Sequence, residues 1–186
     1  EQQQISNYLE HKTQQIDSLI EKTEQKIELL KEQRTSLINQ VVTKGLNPDV
    51  EMKDSGDEWI GEIPTNWVIK KTTFVTNDIG SGATPKSGED RYYENGDIPW
   101  LITGDLNDGL LFDTSKKITQ LAIEDYPTLK LYPEDSVSIA MYGATIGKLG
   151  YLKLSSSVNQ ANCVFVFNRE NCSKFWFYLF LGGRPH

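Results

Sequence analysis

Residues 2–43 read QQQISNYLEHKTQQIDSLIEKTEQKIELLKEQRTSLINQVVT, a stretch that contains neither glycine nor proline. Apolar residues recur in it at the a and d positions of a heptad, the pattern that is typical of coiled-coil helices. Gly45 and Pro48 follow as helix stop signals. The stretch therefore predicts one long helix that ends near residue 44. Its d positions are Leu9, Ile16, Thr23, Leu30 and Leu37, and its a positions are Thr13, Ile20, Ile27, Arg34 and Val41.

The apolar stripe of this helix needs a partner, because the rest of the chain is too small to cover it. Helices draw most of their stability from packing an apolar face. Further apolar residues beside the heptad positions widen the stripe, which favours packing against more than one helix. The polar heptad positions restrict register and partner choice. We expect the interface with the partner helix to consist of Leu9, Ile16, Ile20, Ile27, Leu30, Leu37 and Val41.

After the helix the sequence changes character twice. Residues 45–66 form a polar, acidic linker, and from Trp67 onward short β-like runs alternate with glycine, aspartate and asparagine. We therefore expect an α+β protein, in which a long N-terminal coiled-coil-type helix (1–44) and the linker precede a β-rich mixed domain (67–186). Strands are predicted at 67–75, 97–103, 136–141, 150–154 and 162–167, a short helical turn at 122–125, and the start of a longer helix at 173–181.

Composition and charge exclude several classes of protein. The net charge is −7, made of −2 for residues 1–43, −4 for 44–66 and −1 for 67–186, so the excess acid lies mainly in the linker. Cys163 and Cys172 are isolated and are expected to be free thiols rather than metal ligands. Histidine occurs only as His11 and His186, too few for a histidine-dependent mechanism. The apolar run 175–181 is too short to span a bilayer, and the N-terminus lacks a signal peptide, so we expect a cytoplasmic protein without a membrane partner.

Two glycine-rich stretches resemble nucleotide-binding motifs but do not meet their requirements. Residues 80–86 lack the third glycine of a dinucleotide fingerprint and carry Pro85 where the helix should start. Residues 143–149 place the glycines too close for a phosphate loop, and Leu149 replaces its Ser or Thr. Such loops can approach a phosphate or a base edge closely, and they can equally be turns that a β-rich fold requires. The amides at 159–160 can likewise read adenine or cap a loop internally.

Several segments resemble the specificity subunit of type I restriction-modification systems. In the first half, these segments are EQQQI (1–5), LLKEQR (29–34), VTKGL (42–46) and GDEWIGEIPTNW (56–67). In the second half, the segments similar to a target recognition domain of that family are GATP (82–85), DIPW (97–100), TGDL (103–106), YGATIG (142–147) and NQ (159–160). The resemblance covers nearly the whole chain.

The resemblance implies a non-catalytic DNA reader. In that family, two target recognition domains held apart by antiparallel spacer helices read the two halves of a split double-stranded DNA sequence. The helices also dock methyltransferase subunits, and a restriction (motor-nuclease) subunit joins the complex. S-adenosylmethionine belongs to the methyltransferase, so this chain is expected to bind neither cofactor nor metal.

The sequence departs from the family pattern in extent, because it holds one helix and one recognition domain. It ends before the Gly-rich loop and Pro-rich return segment that normally close such a domain. We therefore expect a fragment whose recognition domain is incomplete at its C-terminus. The second helix would come from another copy or from the missing half.

Lysines are expected to hold phosphates, and Tyr, Thr, Asn and Gln to read base edges. The alternative is an oligomerising coiled-coil interaction protein whose globular half binds protein rather than DNA, which the acidic balance favours. The candidate DNA-binding residues are Thr84, Lys86, Tyr92, Tyr93, Lys116, Lys117, Tyr142, Thr145, Lys148, Asn159 and Gln160.

Overall fold

The computed structural model describes residues 1–183, so residues 184–186 of the expected recognition domain, His186 among them, lie outside the described part. Helix α1 (Gln2–Lys44) occupies the predicted stretch and is about 65 Å long at 1.5 Å per residue. It ends where Gly45 adopts a φ of 76° and donates its N–H to the Val41 carbonyl at 3.0 Å. A positive φ costs glycine little, which is why the helix stops here. The long helix followed by a β-rich region confirms the predicted fold class.

The expected linker contains a folded hairpin rather than a plain connector. Strands β1 (Met52–Asp54) and β2 (Glu62–Pro64) pair antiparallel, and Ile63 of β2 is only 2% exposed. Strand β2 contacts α1, and the Asp57 carboxylate accepts the N–H of Trp59 in the turn at 3.0 Å. The hairpin therefore packs on the end of the helix. Strands of three residues are too short for an alternating pattern to show in the sequence.

Two sheets form the body of the protein. The elements are β3 (Thr76–Gly80), β4 (Ile98–Leu101), β5 (Gly109–Leu111), β6 (Lys116–Ile118), α2 (Gln120–Asp125), β7 (Val137–Ala140), β8 (Leu149–Leu152), β9 (Ser157–Val158), β10 (Asn162–Phe167) and α3 (Ser173–Gly182). The five-stranded sheet has the order β3-β10-β7-β8-β5, in which only β8 and β5 run parallel. The three-stranded sheet has the order β6-β4-β9, in which β4 pairs antiparallel with β6 and parallel with β9.

Most predicted elements have counterparts in the structure. The run 162–167 coincides with β10, and 97–103, 136–141 and 150–154 overlap β4, β7 and β8. The strand predicted at 67–75 is wrong, because this segment contains a 3-10 turn (Thr72–Phe74) and the strand begins at Thr76. Strands β5, β6 and β9 were not predicted, since each has only two or three residues.

Helix α3 joins α1 to the five-stranded sheet. Its Phe177 and Leu181 pack with Val137 and Leu149 of the sheet, and Ile38 of α1 packs against the same cluster. A Cβ at Gly182 of α3 would lie 2.3 Å from Asn39 Oδ1, so the two helices approach closely. The body is thus fixed to the last turns of α1. In residues 1–183, no helix combines the length and apolarity needed to cross a membrane.

Two tyrosines are held in the body with their hydroxyls engaged. Tyr132 is 1% exposed and donates its hydroxyl to the Ser81 carbonyl at 2.9 Å. Tyr92 is 4% exposed and donates to Asp125 at 2.9 Å. Burial is the first cause that raises the pKa of each of these phenols to about 12. The folded state therefore favours the neutral form of both side chains.

We predict that Tyr92 and Tyr132 destabilise the folded protein only at high pH. A tyrosine in the unfolded chain ionises near pH 10, so the contribution of each buried phenol is complete below about pH 10 and is lost as the pH rises toward about 12. Tyrosinate absorbance should show a component with a pKa of about 12 that shrinks in Tyr92→Phe and again in Tyr92→Phe/Tyr132→Phe. A titration that ends near pH 10 in the folded protein would contradict this.

Candidate nucleic-acid interface

Three loops meet where the two sheets join. They are residues 81–86 after β3, residues 141–148 between β7 and β8, and residues 159–161 between β9 and β10. The Met141 N–H donates to the Ala161 carbonyl at 2.8 Å, and the Thr84 hydroxyl donates to the side-chain carbonyl of Gln160. These bonds combine the loops into one surface, which we call the three-loop surface.

The 81–86 loop lies directly on strand β9. A Cβ at Gly82 would stand 1.7 Å from the Val158 carbonyl oxygen, so no other residue fits without moving the backbone. One residue further, the Ala83 carbonyl accepts the indole N–H of Trp100 at 3.2 Å. These contacts place Thr84 at the surface, where it is exposed and meets Gln160. Sequence reasoning named both residues, and the structure brings them together.

Asn159 supports the surface from inside rather than lying on it. Its side-chain oxygen accepts the Ala161 N–H at 3.2 Å and the Asn162 amide at 2.8 Å. Asn162 is fully buried and also donates to the Leu101 carbonyl at 3.2 Å. Asn159 therefore caps its own loop, which was the alternative that the sequence left open, and its side-chain oxygen is already occupied by these two hydrogen bonds. Gln160, between these anchored residues, remains exposed.

The loop between β7 and β8 presents a mixed polar and apolar tip. Its base is closed by the Gly147 N–H to the Ala140 carbonyl and by the Ala140 N–H to the Lys148 carbonyl, both at 2.9 Å. Tyr142 is 49% exposed and Ile146 is 68% exposed, and Lys148 is also exposed. The sequence-based candidates included Tyr142 and Lys148 but missed Ile146. The only sequence signal for Ile146 was that an apolar residue lies between two glycines, Gly143 and Gly147.

A small charged group lies next to the 81–86 loop. The Glu89 carboxylate accepts from Lys86 at 2.9 Å and from Arg91 at 2.8 Å. These hydrogen bonds raise the pKa of Lys86 and of Arg91 and lower the pKa of Glu89. The Arg91 guanidinium also lies 4.5 Å from the centre of the Tyr92 ring. Two cations thus share one carboxylate beside the 81–86 loop, and the candidate set had included only Lys86.

The two adjacent tyrosines of the candidate set serve the core. Tyr92 is 4% exposed and packs edge-to-face against Tyr126, so it offers DNA no surface. Tyr93 is half-buried, with its hydroxyl on the Pro85 carbonyl at 2.5 Å and its ring against Trp100. Placing both at a DNA interface was therefore wrong for Tyr92 and is not supported for Tyr93. An aromatic ring with a polar tip suits a core position as well as an interface.

Lys116 and Lys117 cannot both face the same surface. They are consecutive residues of β6, and successive side chains of a strand point to opposite faces. Lys116 is in register with Trp100, whereas Lys117 is in register with Pro99. Trp100 contacts the 81–86 loop, so Lys116 is the better candidate of the two. The structure leaves both side chains exposed.

Among residues 1–183, no group of three or more His, Cys, Asp or Glu side chains is placed to hold a metal ion. The three-loop surface instead combines hydroxyl, amide and ammonium groups with an apolar tip. Such groups bind phosphates and base edges.

Comparison with known proteins decides the family. Residues 64–182, which are more than half of the chain, match the family described as Type I restriction modification DNA specificity domain. The chain belongs to this family. The match begins at the end of β2 and ends with α3, so all three loops of the proposed interface lie within the specificity domain.

The relatives that match this chain are longer than it is. The MjaIX specificity subunit of Methanocaldococcus jannaschii is 29% identical over 124 residues, which are 65% of this chain but only 28% of that protein. The HsdS subunit of Thermoanaerobacter tengcongensis superposes with a TM-score of 0.53 at 16% identity and covers 90% of this chain and 39% of its own. A structure described by complex assembly and conformational transition of the type I R-M system gives 0.51 at 14% identity, with 92% and 40% covered. The specificity domain thus shares the fold of these larger subunits.

We predict that the specificity domain tolerates Gly104→Ala but not Gly82→Ala. A Cβ at Gly82 meets a backbone oxygen at 1.7 Å, whereas the nearest atom to a Cβ at Gly104 is a side-chain carbon of Ile102 at 3.9 Å. Overpacking of this kind costs about 1–3 kcal/mol or more. Urea unfolding should show that loss for Gly82→Ala and little change for Gly104→Ala. Equal stability of the two variants would show that the 81–86 loop does not require this close approach.

Proposed function

We propose that this chain provides sequence-specific DNA recognition within a type I restriction-modification complex, reading one half of a split double-stranded target. The observation that carries the proposal is the three-loop surface, in which Thr84 and Gln160 are joined and exposed inside the matched specificity domain. The alternative, a globular half that binds only protein, is not favoured, because the family match covers that half of the chain.

The chemistry of the surface suits both parts of DNA recognition. Lys86, Arg91 and Lys148 can hold phosphates, which fixes the position of the domain on the duplex. Gln160 can donate to and accept from a base edge, and the apolar side chain of Ile146 can contact a thymine methyl group. The acidic character of the whole chain does not oppose this, because phosphate binding depends on local cations.

The proposed role of α1 is assembly. Six of its predicted interface residues, from Leu9 to Leu37, are exposed in the single chain, from 47% for Ile27 to 60% for Leu37, whereas Val41 is partly buried. We propose that this stripe packs against a second helix and that the helices dock methyltransferase subunits, to which the restriction subunit is added. S-adenosylmethionine would then be bound by the methyltransferase subunit, and this chain would contribute recognition rather than catalysis.

Two kinds of substitution should separate phosphate contacts from base contacts. Lys148→Ala should weaken binding to all sequences and reduce the slope of log K against log salt by about one. Gln160→Ala should cost about 1–3 kcal/mol on the preferred sequence and relax the preference at one position. Gel shifts against a randomised DNA pool over a salt series, with methyltransferase subunits present, measure both effects.

Lys174→Ala is the matched control, because this lysine lies on α3, outside the three-loop surface. It should leave both the salt slope and the sequence preference unchanged. The proposal fails if the wild-type complex selects no sequence. It also fails if Gln160→Ala and Lys148→Ala reduce binding to every sequence equally.

Removing the carboxylate of Glu89 should strengthen DNA binding. The single negative charge of Glu89 offsets part of the positive charge of Lys86 and Arg91, and both cations must give up this partner to bind a phosphate. We expect Glu89→Gln to tighten binding several-fold for all sequences without a change in preference. Glu94→Gln, which removes the same charge from an exposed residue nearby, should have a smaller effect. Weaker binding by Glu89→Gln would mean that the two cations need Glu89 for their orientation.

A further inference from the structure

The turn that carries Gln160 is closed from within by two asparagines. We call residues 159–162 the first Asn turn. The Asn159 side-chain oxygen accepts the Ala161 N–H at 3.2 Å and the Asn162 amide at 2.8 Å. The backbone N–H of Asn162 also donates to the Asn159 carbonyl at 3.3 Å. These bonds surround Gln160, whose own side chain is exposed.

Asn162 anchors the first Asn turn to both sheets. This residue is fully buried, and its amide donates not only to Asn159 but also to the Leu101 carbonyl of β4 at 3.2 Å. Its side-chain oxygen accepts the hydroxyl of Ser138, a buried residue of β7, at 3.3 Å. An amide has two N–H donors, so both are in use. A shift of the turn would leave buried polar groups without partners, which is costly.

The backbone on both sides of Gln160 is held as well. The Asn159 N–H donates to the Leu101 carbonyl at 3.0 Å, and the Ala161 carbonyl accepts the Met141 N–H at 2.8 Å. The far end of the Gln160 side chain accepts the hydroxyl of Thr84. A glutamine side chain has several rotatable bonds and much rotamer freedom. Because both ends of this one are held, its orientation is restricted.

A turn of the same kind occurs again, away from the three-loop surface. In residues 168–171, the second Asn turn, the Asn168 side-chain oxygen accepts the Glu170 N–H at 3.3 Å and the Asn171 amide at 2.6 Å. The Asn171 N–H donates to the Asn168 carbonyl at 3.1 Å. The two turns lie at opposite ends of β10, about 20 Å apart at 3.3 Å per residue. The hydrogen-bond pattern by itself is thus a structural cap, and the first turn differs in what it carries.

The placement of Gln160 matters because bases differ in where their groove edges present donors and acceptors. Hydrogen bonds weaken steeply when their angle or distance departs from the optimum. An amide on a loose turn could adjust to several bases and would discriminate little among them. Supporting hydrogen bonds that hold a contacting side chain in place are a general source of specificity.

We propose that Asn159 and Asn162 are positioning residues for base selection, which act through Gln160 and do not contact DNA themselves. The inference rests on the proposed DNA-reading function and names the residues that set its selectivity. It gives Asn159 a different role from the direct base contact that the sequence suggested, since its oxygen is used inside the turn.

Selection from a randomised DNA pool tests this with the full chain and methyltransferase subunits present. Asn159→Ala should reduce the preference for the favoured base at the position that Gln160 reads by about fivefold or more. Binding to DNA without the target should stay within about twofold, because Asn159 holds no phosphate.

Two further variants show whether Asn159 acts through Gln160. When Gln160→Ala is already present, adding Asn159→Ala should not change the base preference further, since coupled residues are not additive. Asn159→Asp keeps an oxygen that can accept both hydrogen bonds, so it should restore the preference. Its added negative charge should weaken binding to all sequences equally.

Asn168→Ala is the matched control. It removes the same two hydrogen bonds from the second Asn turn and should leave the base preference unchanged. Urea unfolding of Asn159→Ala and Asn168→Ala measures the loss of stability that the two variants share. A change of preference in Asn159→Ala alone therefore separates positioning from general destabilisation.

Several outcomes would overturn the positioning role. They are a wild-type preference in Asn159→Ala, an equal loss of preference in Asn168→Ala, and a further loss when Asn159→Ala is added to Gln160→Ala. If Asn159→Ala does not fold, Asn159→Ser decides, because its hydroxyl can cap the Ala161 N–H but is too short for the Asn162 amide. A wild-type preference in that variant would also overturn the role.

The wild-type complex itself distinguishes the two proposals. If it selects no sequence, the DNA-reading function is wrong and the positioning role falls with it. If it selects a sequence and Asn159→Ala selects the same one equally well, only the positioning role is wrong.

Discussion

The close packing of α3 on α1 is the contact on which the rest of the structure depends. Gly182 lets the last turn of α3 reach Asn39, and Leu181 and Ile38 share the cluster that covers the five-stranded sheet. Without this contact the orientation of the body relative to α1 would be free to vary, but the packing of α3 fixes the body to α1. The orientation of any surface on the body relative to α1 follows from it. The proposed recognition of a half-site needs that rigidity, since half-site separation is set by geometry.

A second buried contact has the same role inside the body. Asn162 is fully buried at the start of β10, and its amide bonds the Leu101 carbonyl of β4 and the side chain of Asn159. It therefore ties the three-stranded sheet to the five-stranded sheet below the 159–161 loop. Buried amides with every bond made define one conformation. Gln160 can present its side chain outward because its neighbours are held from within.

The sequence predicted the elements whose patterns are long. The heptad repeat predicted α1 nearly to its last residue, and the apolar run 162–167 predicted β10. The hairpin at Met52–Pro64 and strand β9 were not predicted, because a strand of two or three residues has no periodicity to detect. Strand β9 helps to bring the three loops together, since it carries Val158, on which the 81–86 loop rests.

At the candidate site, residue type alone did not distinguish side chains that are free to contact DNA from side chains that support the loops. Asn159 and Gln160 are adjacent amides, yet one bonds inward and the other is exposed, a difference that arises from the tertiary position of Asn162. Tyr92 has the chemistry of an interface residue but closes the core beside Asp125. Arg91 was overlooked because its significance depends on Glu89 and on the nearby loop. Such assignments need the fold, because they depend on contacts between distant segments.

The distribution of charge reconciles an acidic chain with the proposed DNA binding. The excess acid lies in residues 44–66, which form the hairpin at the end of α1, whereas the three-loop surface lies on the two sheets. In the body, Asp78 and Asp135 are neutralised by Lys130 at 2.5 Å and Lys153 at 2.7 Å. Electrostatic attraction over a Debye length of about 8 Å is local at physiological salt. The sign of the potential at a bound phosphate is therefore set by Lys148 and the Lys86 group rather than by the net charge of the chain.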